Sequence, residues 1–226
     1  MFKRMTLLYP RSDRTAEQFQ RHWSRVHSTF VLQLPAIRRY VQNDIVTAQP
    51  AVRFRGIVEL WFDDEADLRA AFTSPAGRAL PPDEDNFLGG KIVCDVEERV
   101  VRSAAPARDT AKLISIVTTA APLTPASFER WLARVTTRFA APAKDGRCLS
   151  LHRIATERRI GAEVDQGAPI AGFFVHQFAD AQARTAYVDS GVAHEIEIET
   201  LDVAAEATRV SVSERLLHDA TRPSPT

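Results

Sequence analysis

The chain has 226 residues, of which 45% are hydrophobic and 26% charged, and its 29 basic and 29 acidic side chains cancel. This composition is ordinary for one or two globular domains, and the chain has no excess of positive charge that would attract nucleic acid. No apolar run approaches the roughly 18 residues that span a bilayer, and the N-terminus reads as a strand, not a signal peptide. We therefore expect a cytoplasmic protein with no nucleic-acid and no membrane partner, whose Cys94 and Cys148 stay reduced.

The first hundred residues predict the order strand, helix, strand, strand, helix, strand. Thr15 and Gln18 form a capping box ahead of a helix over 16–32. In that helix Phe19, Trp23, Val26 and Phe30 follow helical spacing and predict the buried stripe. The strands are predicted at 3–9, 37–45, 56–62 and 91–102. The second helix is expected to begin at Asp63 or Asp64, to end near Thr73 and to be stopped by Ser74-Pro75-Ala76-Gly77.

The second half repeats the first. When 109 is added to the residue number, Phe19 and Arg25 of the first half match Phe128 and Arg134 of the second; further along the chain the offset is 116, and Gly56 matches Gly172. An insertion of 7 residues (116 minus 109), which we place in a soft and mobile stretch over 157–167, reconciles the two registers. Self-similarity at a fixed offset indicates one supersecondary unit used twice. The predicted units are 1–102, a linker over 103–110, a diverged copy over 111–218 and a flexible tail over 219–226.

Each unit has the βαββαβ order of a ferredoxin-like domain, which forms a four-stranded sheet with both helices on one face. The other sheet face would be exposed in a single unit. Two tandem units can cover each other, so we predict an α+β fold in which they form an intramolecular, pseudo-dimeric barrel with the helices outside. The protein would then be a monomeric pseudo-dimer, or a homodimer if a strand edge stays exposed.

The two copies differ where chemistry would lie. At the offset of 109, His22, Trp23 and His27 become Trp131, Leu132 and Thr136, so a histidine site is expected in the first half. On a regular helix His22 and His27 lie about 140° apart, on opposite sides of the buried stripe, which excludes a shared metal. We favour His27 as an acid/base, because it is nearer the turn into Tyr40, and keep His22 as a substrate-binding candidate. The alternative is that both histidines simply pack beside Trp23.

Polar residues on the strands supply further candidates. Tyr40 and Asn43 lie on the second strand; if Tyr40 faces the barrel interior, its phenol could hydrogen-bond a substrate oxygen, and Asn43 or Gln42 could orient a carbonyl. The alternative for Tyr40 is a side chain that fills the core with its hydroxyl at the rim. Glu59 and Trp61 share a face of the third strand, where a buried acid needs a partner. The alternative for Glu59 is a salt bridge to a neighbouring arginine, Arg38 or Arg39. His176 has the opposite strand phase and is predicted to face the helices in a structural role.

Asp85 lies in the acidic stretch over 83–86 and is either a lid acid over the pocket or part of a solvated turn. The sequence offers no metal cluster, phosphate loop or nucleophile elbow, and we expect neither a metal nor a tightly bound cofactor.

These residues carry a family resemblance. The runs Lys3 to Leu8, Phe19 to His27, Leu34 to Asn43 and Gly56 to Phe62, with Ser74-Pro75, the stretch Asp83 to Phe87 and Glu97-Glu98, resemble the EthD family of the dimeric α+β barrel superfamily. The second half resembles a diverged copy.

The resemblance implies a small-molecule enzyme of EthD type. In this reading His27 is the acid/base, Tyr40 and Glu59 are the other catalytic residues, and His22, Asn43, Trp61 and Asp85 bind substrate. The substrate would be apolar and oxygen-bearing or phenolic, and the reaction that of a lyase, cyclase or isomerase. One alternative is an oxidoreductase of the cofactor-independent monooxygenase type, acting in ether or xenobiotic breakdown. A second is a non-catalytic protein that binds a ligand for a partner enzyme.

Overall fold

The chain forms a closed barrel of eight antiparallel strands, which the computed structural model describes together with its outer helices over residues 1–102, 111–138 and 148–220. The strands are β1 Phe2–Pro10, β2 Arg39–Gln49, β3 Gly56–Phe62, β4 Leu88–Arg102, β5 Ala111–Thr119, β6 Cys148–Ile160, β7 Ile170–Phe178 and β8 Ala205–Asp219. Around the barrel they run β1-β3-β2-β8-β5-β7-β6-β4. The two halves therefore meet at two seams, β2–β8 and β4–β6, and the predicted intramolecular α+β barrel is confirmed.

The helices lie outside the barrel, and each half contributes its own set. In the first half a single helical rod contains α1 Ala16–His22, a π-helical segment Trp23–His27 and α2 Ser28–Val31, and it is followed by α3 Glu65–Thr73 and α4 Pro75–Glu84. In the second half they are α5 Pro125–Arg138, α6 Ala181–Asp189, α7 Val192–His194 and a π-helical segment Glu195–Glu199. None of the described helices is both long and apolar enough to cross a membrane.

Alternation along the strands creates three apolar layers. One face of every strand points into the barrel, where residues such as Met5, Ile57, Ile114 and Phe173 form a shared core. The opposite faces pack against the helices of each half in two separate clusters. A position on one strand therefore belongs either to the barrel interior or to the space under the helices, and the sheet separates the two.

A tryptophan fixes the distance between helix and sheet in each half. A Cβ added at Gly56 would lie 2.5 Å from the Trp23 ring, and one at Gly172 would lie 3.0 Å from the Trp131 ring. Each glycine thus gives an indole room to lie directly on its strand. Trp23 and Trp131 are consequently equivalent in the structure, and this equivalence corrects the offset of 109, which matches Trp23 with Leu132.

Several predicted boundaries change in the structure. β3 has the predicted bounds, but Ser74 does not simply stop a helix: its hydroxyl accepts from the Gly77 N–H at 3.1 Å and caps α4. The stretch 157–167 is not a free loop, because β6 extends to Ile160 and Val164 is buried in the barrel core. The predicted linker over 103–110 and most of the tail lie outside the described residues.

Candidate functional site

The π-helical segment decides where the first-half histidines point. A π-helix closes hydrogen bonds between residues i and i+5, so residues five apart lie one turn apart on the same face. His22 precedes the segment Trp23–His27 and is five residues from His27. The prediction that the two histidines lie on opposite sides was wrong, because it assumed a regular α-helix.

Gln42 on β2 supports the irregular turn. Its side-chain amide donates to the Trp23 carbonyl at 3.1 Å and lies 2.5 Å from the Tyr40 hydroxyl. Arg215 on β8 donates to the other end of the amide at 2.6 Å. A side chain that satisfies a backbone carbonyl offsets the disruption of the helical hydrogen-bond ladder. At the offset of 109 the second half has Leu151 in place of Gln42, which cannot do this.

Both histidines bind one carboxylate. His22 Nε2 lies 2.9 Å from Asp83 Oδ1, and His27 Nδ1 lies 2.7 Å from Asp83 Oδ2. Asp83 is supplied by α4, the helix that Ser74 caps, and it is buried with only 7% of its surface exposed. The pair has the form of a positioned acid/base: the carboxylate holds one ring nitrogen and leaves the other for a ligand.

His27 is buried in an aromatic setting. Its ring centroid lies 5.1 Å from that of Phe87, and the His22 ring stacks on the same phenyl at 4.8 Å. Burial lowers the pKa of His27, and the bond to Asp83 opposes that shift without reversing it. His27 is therefore an uncharged imidazole near neutral pH, the form that accepts a proton.

His27 forms part of the wall of a cleft between the helices and the outer face of the sheet. The cleft has a volume of about 150 Å³. It is lined mainly by aliphatic side chains, namely Leu8, Val31, Val58, Leu60, Leu80, Val93 and Ile160. Its polar wall is formed by Arg4, which is paired with Asp95 at 2.6 Å, and Lys91, which is paired with Glu84 at 2.5 Å. Arg158 and Ile160 come from β6, so the second half completes the first-half cleft.

The buried stripe of the first helical rod is Phe19, Trp23, His27 and Val31, at a spacing of four residues throughout. The predicted stripe included Val26, which is 42% exposed. In the second half the buried residues are Phe128, Trp131 and Val135, at the ordinary spacing of three and four. The first half therefore has one extra residue between the phenylalanine and the tryptophan. A constant spacing of four, wider than the 3.6 residues of an α-helix, was the sequence signal for the π-helical segment.

The acid that binds both histidines is Asp83, whereas the sequence favoured Asp85 as the candidate. Asp85 is exposed at the end of α4, where its backbone N–H donates to the Pro81 carbonyl at 3.0 Å and its own carbonyl accepts from Arg11 at 2.8 Å. The sequence signal was present, since Asp83 belongs to the same acidic stretch. Choosing between Asp83 and Asp85 required knowing that α4 extends to Glu84, because Asp83 lies inside that helix and Asp85 follows it. The sequence predicted a turn there.

Tyr40 faces the helices, not the barrel interior. It is fully buried in the outer core of the first half, and burial raises the pKa of its phenol. Its hydroxyl accepts a hydrogen bond from the Gln42 side-chain amide. In this position it supports the π-helical segment through Gln42 and is not among the residues that line the His27 cleft.

Glu59, Asn43 and Trp61 lie on the opposite side of the sheet, inside the barrel. Glu59 is 1% exposed and is bound by two lysines: Lys3 at 2.7 Å and Lys112, which donates to its other oxygen. The partner is therefore not Arg38 or Arg39, as the alternative reading had it. Asn43 donates to Glu59 at 2.9 Å. Burial alone would raise the pKa of Glu59, but Lys112 and Lys3 outweigh it and hold the pKa well below its ordinary value.

The two lysines occupy equivalent places in the two repeats, at the offset of 109, and each has a further glutamate. Lys3 lies 3.5 Å from Glu98, and Lys112 lies 2.7 Å from Glu214. Glu98 and Glu214 are themselves equivalent at the offset of 116. His152 on β6 lies 2.8 Å from Lys3, and burial lowers its pKa. The Trp61 indole donates to Glu98 at 3.3 Å. These residues form a buried charge network inside the barrel.

The sheet thus separates the candidate residues into two places. His27 lines the cleft under the helices, and His22 shares its carboxylate. Glu59 and Trp61 line the cavity inside the barrel, and Asn43 is bonded to Glu59 there. Among the described residues no group of three or more His, Cys, Asp or Glu side chains has an arrangement that could hold a metal ion.

The second half has its own buried polar cluster under the helices, which the sequence reasoning missed. Glu197, in the second π-helical segment, accepts from Ser115 at 2.7 Å and from Arg209 at 2.8 Å. His176 lies 3.4 Å from Glu197 and faces the helices as predicted. Its ring packs 4.9 Å from that of Tyr187 and is fully buried, which agrees with the structural role we predicted for it.

Comparison with known proteins identifies the first half. The sequence model of the EthD domain matches residues 11–91. A protein of Rhodococcus erythropolis, described as an uncharacterized 11.0 kDa protein in the thcB-thcC intergenic region, is 29% identical over 91 residues, which are 39% of this chain and 86% of that protein. The resemblance of the first half to the EthD family, which the sequence motifs predicted, is therefore confirmed over residues 11–91.

Solved structures match almost the whole chain. An anthrone oxidase-like protein is 12% identical with a TM-score of 0.62, and the match covers 99% of this chain and 96% of that one. A candidate monooxygenase of Lactobacillus acidophilus is also 12% identical, with a TM-score of 0.55 and coverage of 97% and 96%. At these identities the likeness establishes the barrel fold of both halves together.

Proposed function

We propose, from the EthD domain in the first half of the chain, that the protein is a small-molecule enzyme in which His27 exchanges a proton with an apolar, oxygen-bearing substrate held in the helix-side cleft. The observation that carries the proposal is the bond between His27 and Asp83 in the wall of an apolar cleft. The enzyme would act in the cytoplasm without a tightly bound cofactor, as a monomeric pseudo-dimer or a homodimer.

The cleft limits the substrate by size and polarity. Its volume of about 150 Å³ is that of cavities that accept a single benzene-sized ring. Aliphatic side chains such as Leu60 and Leu80 surround that space, so an apolar ring is favoured over a sugar or a charged metabolite. Arg4 and Lys91, each paired with a carboxylate, place N–H donors in the lining that would bond an oxygen that loses a proton. A phenol has all three properties.

The chemistry would begin with proton transfer to His27. Asp83 engages Nδ1 and so selects the ring orientation and tautomer in which Nε2 accepts a proton. Because burial lowers the pKa of His27, the imidazole is uncharged before the substrate binds. The substrate's phenolate or enolate oxygen would form as imidazolium forms, and Asp83 would stabilise that imidazolium. His22, on the other carboxylate oxygen, would hold Asp83 in place.

Two reaction classes can follow proton removal. A lyase, cyclase or isomerase returns the proton from His27 to another atom of the substrate. The similarity to an anthrone oxidase-like protein and to a candidate monooxygenase supports an oxidation as the second candidate, in which O₂ oxidises the deprotonated substrate. Both classes need the same base, so the first experiment concerns His27 itself.

The first test uses 4-nitrophenol, whose ionisation changes its visible absorption. We expect the purified protein to bind it and to increase the phenolate fraction relative to free probe at the same pH. The His27→Gln variant should bind the probe without that increase, whereas His194→Gln, a control at an exposed histidine, should behave like the original protein. Equal phenolate fractions in the His27→Gln variant and the original protein would remove His27 from the mechanism.

The second test separates an enzyme from a ligand carrier. Single-ring phenols that fit the cleft, hydroquinone and catechol among them, are incubated with the purified protein in air, and both O₂ consumption and product absorption are followed. An oxidase consumes O₂, and His27→Ala should slow it by about 10²- to 10⁴-fold. Tight binding of these phenols without turnover would favour the carrier.

A further inference from the structure

The barrel interior contains a second cavity, which the sheet separates from the His27 cleft. It has a volume of about 150 Å³ and lies beside the buried charge network. Both halves contribute to it, with Arg39 and Trp61 from the first and Ser150 and Gln177 from the second. Val100 from β4 and Val175 from β7 complete the wall, so the lining contains both polar and apolar side chains.

Three basic side chains, Lys3, Arg39 and Lys112, and two acidic ones, Glu59 and Glu98, line this cavity. Both lysines are already bound, because Lys3 pairs with Glu59 at 2.7 Å and Lys112 pairs with Glu59 and, at 2.7 Å, with Glu214. Arg39 is therefore the basic group that determines what the cavity can accept.

Arg39 is held in place without a carboxylate of its own. Its guanidinium lies 4.9 Å from the centroid of the Trp61 ring, on which Lys3 also lies at 4.4 Å. Its Nε is buried and has no hydrogen-bond partner among the described residues, which also provide no ion pair for it. A buried donor without a partner costs free energy, and a guanidinium presents two parallel donors that match a carboxylate. The neighbouring Arg38, in contrast, donates to Asp63 at 2.9 Å.

We infer that the barrel cavity is a binding site for a small carboxylate with a short apolar or aromatic body. The carboxylate would pair with Arg39, and Ser150 and Gln177 lie in the same lining to bond its remaining lone pairs. The apolar body would pack against Val100 and Val175. This site is independent of the proposed proton transfer at His27, since it lies on the other side of the sheet.

The test measures binding of benzoate to the full chain by calorimetry in a buffer with little chloride, with tryptophan fluorescence as a second readout because Trp61 lines the cavity. Arg39→Gln should weaken benzoate by on the order of 10- to 100-fold, since it removes a charge-assisted bidentate bond. Arg38→Gln is the matched control and should change the affinity by less than about twofold, which is under 0.5 kcal/mol. Benzyl alcohol, which lacks the charge, should bind at least about tenfold more weakly than benzoate.

A second variant keeps the test informative if Arg39→Gln does not fold. Ser150→Val introduces the residue of its first-half counterpart, Val41, and should weaken benzoate by filling the polar side of the cavity. Unchanged affinity in Arg39→Gln, or in Ser150→Val, would overturn the site. Displacement of benzoate by chloride at equal concentration would overturn the assignment to carboxylates. Retained benzoate binding in His27→Gln is expected, and loss there would show that the measured site is the helix-side cleft instead.

Discussion

His27 and Asp83 are bonded at 2.7 Å although 56 residues separate them in the sequence. The bond needs two local features that are unrelated in the chain. The π-helical segment turns His27 towards the sheet, and the Ser74 cap starts the short helix that carries Asp83. Together they place an uncharged imidazole in an apolar wall with one nitrogen already engaged.

Replacing Asp83 by Asn should lower the pKa of His27 further. Burial already depresses it, and the carboxylate is the contribution that opposes burial. The measurement is an NMR titration of the imidazole C–H resonances in both proteins. Asp85→Asn is the matched control, since Asp85 is exposed two residues away, and it should leave the titration unchanged. An unaltered His27 titration in Asp83→Asn would contradict the assigned bond.

The protein should lose stability when the pH falls below about 7, in part through His27. Folding lowers the pKa of His27 below the value of about 6.5 expected in the unfolded chain. Between those two pKa values the unfolded chain binds more protons, so stability rises with pH across this window and falls on acidification. His152 acts in the same direction, because burial lowers its pKa too.

His27→Val, with the residue found in the second half at Val135, should therefore make the pH dependence shallower without abolishing it. Urea unfolding between about pH 5 and pH 7.5 measures the free energy of unfolding for both proteins. Curves that stay parallel over that range would show that His27 does not titrate on unfolding.

Removing the charge of Glu59 should destabilise the fold strongly. Glu59→Gln leaves Lys3 with Glu98 and Lys112 with Glu214 as their remaining carboxylates, and removing one partner of a buried ion pair costs about 3–5 kcal/mol. The free energy of unfolding in urea measures the loss. Glu17→Gln, at an exposed pair with Arg21, should change it by less than about 1 kcal/mol. Equal effects of the two substitutions would mean that the buried network is not stabilised by its charges.

Adding one methyl group at Gly56 should push Trp23 from its place. The new Cβ would lie 2.5 Å from the indole, and overpacking of this kind costs about 1–3 kcal/mol. Gly167→Ala is the control, because a Cβ there meets nothing within 4 Å, and we expect a change within about 0.5 kcal/mol. Thermal unfolding of both variants provides the comparison, and a neutral Gly56→Ala would contradict the tight contact between helix and strand.

The first half should not behave as a soluble monomer when expressed alone as residues 1–105. Without the second half, β2 loses its partner β8 and β4 loses its partner β6, which exposes two strand edges and the inner sheet face. We expect a dimer or larger species by size-exclusion chromatography with light scattering. A well-folded monomer would show that the barrel is not required to cover the inner face.

How much of this the sequence could predict depends on the range of the interactions. The barrel followed from local pattern and internal repetition, because strand alternation and the repeated glycine strand are visible without knowing any contact. Gly56–Phe62 was placed to the residue, and the Thr15 capping box is present. The EthD motifs were found in the first half of the chain, which is where the family model matches.

The site was harder because it depends on one inserted residue and on contacts across the chain. His22 and His27 lie on the same side because the helix has gained a residue, whereas the angle computed for a regular helix placed them on opposite sides. The partner of Glu59 was assigned to the nearest arginines, whereas the structure provides Lys112 from the other half. Strand phase placed Glu59 and Trp61 together correctly, but it could not say that Tyr40 and His27 lie on the other side of the sheet.

The placement of Glu59 between Lys3 and Lys112 has a consequence for how this barrel can change. In a dimer of identical subunits every side chain near the two-fold axis occurs twice, so one carboxylate could not be shared by two equivalent lysines without a second carboxylate opposite it. Here Val175 occupies the place opposite, and the stoichiometry is two lysines to one central glutamate. Joining the repeats in one chain breaks the symmetry that a dimer would impose, and each position in the barrel interior can then vary by itself.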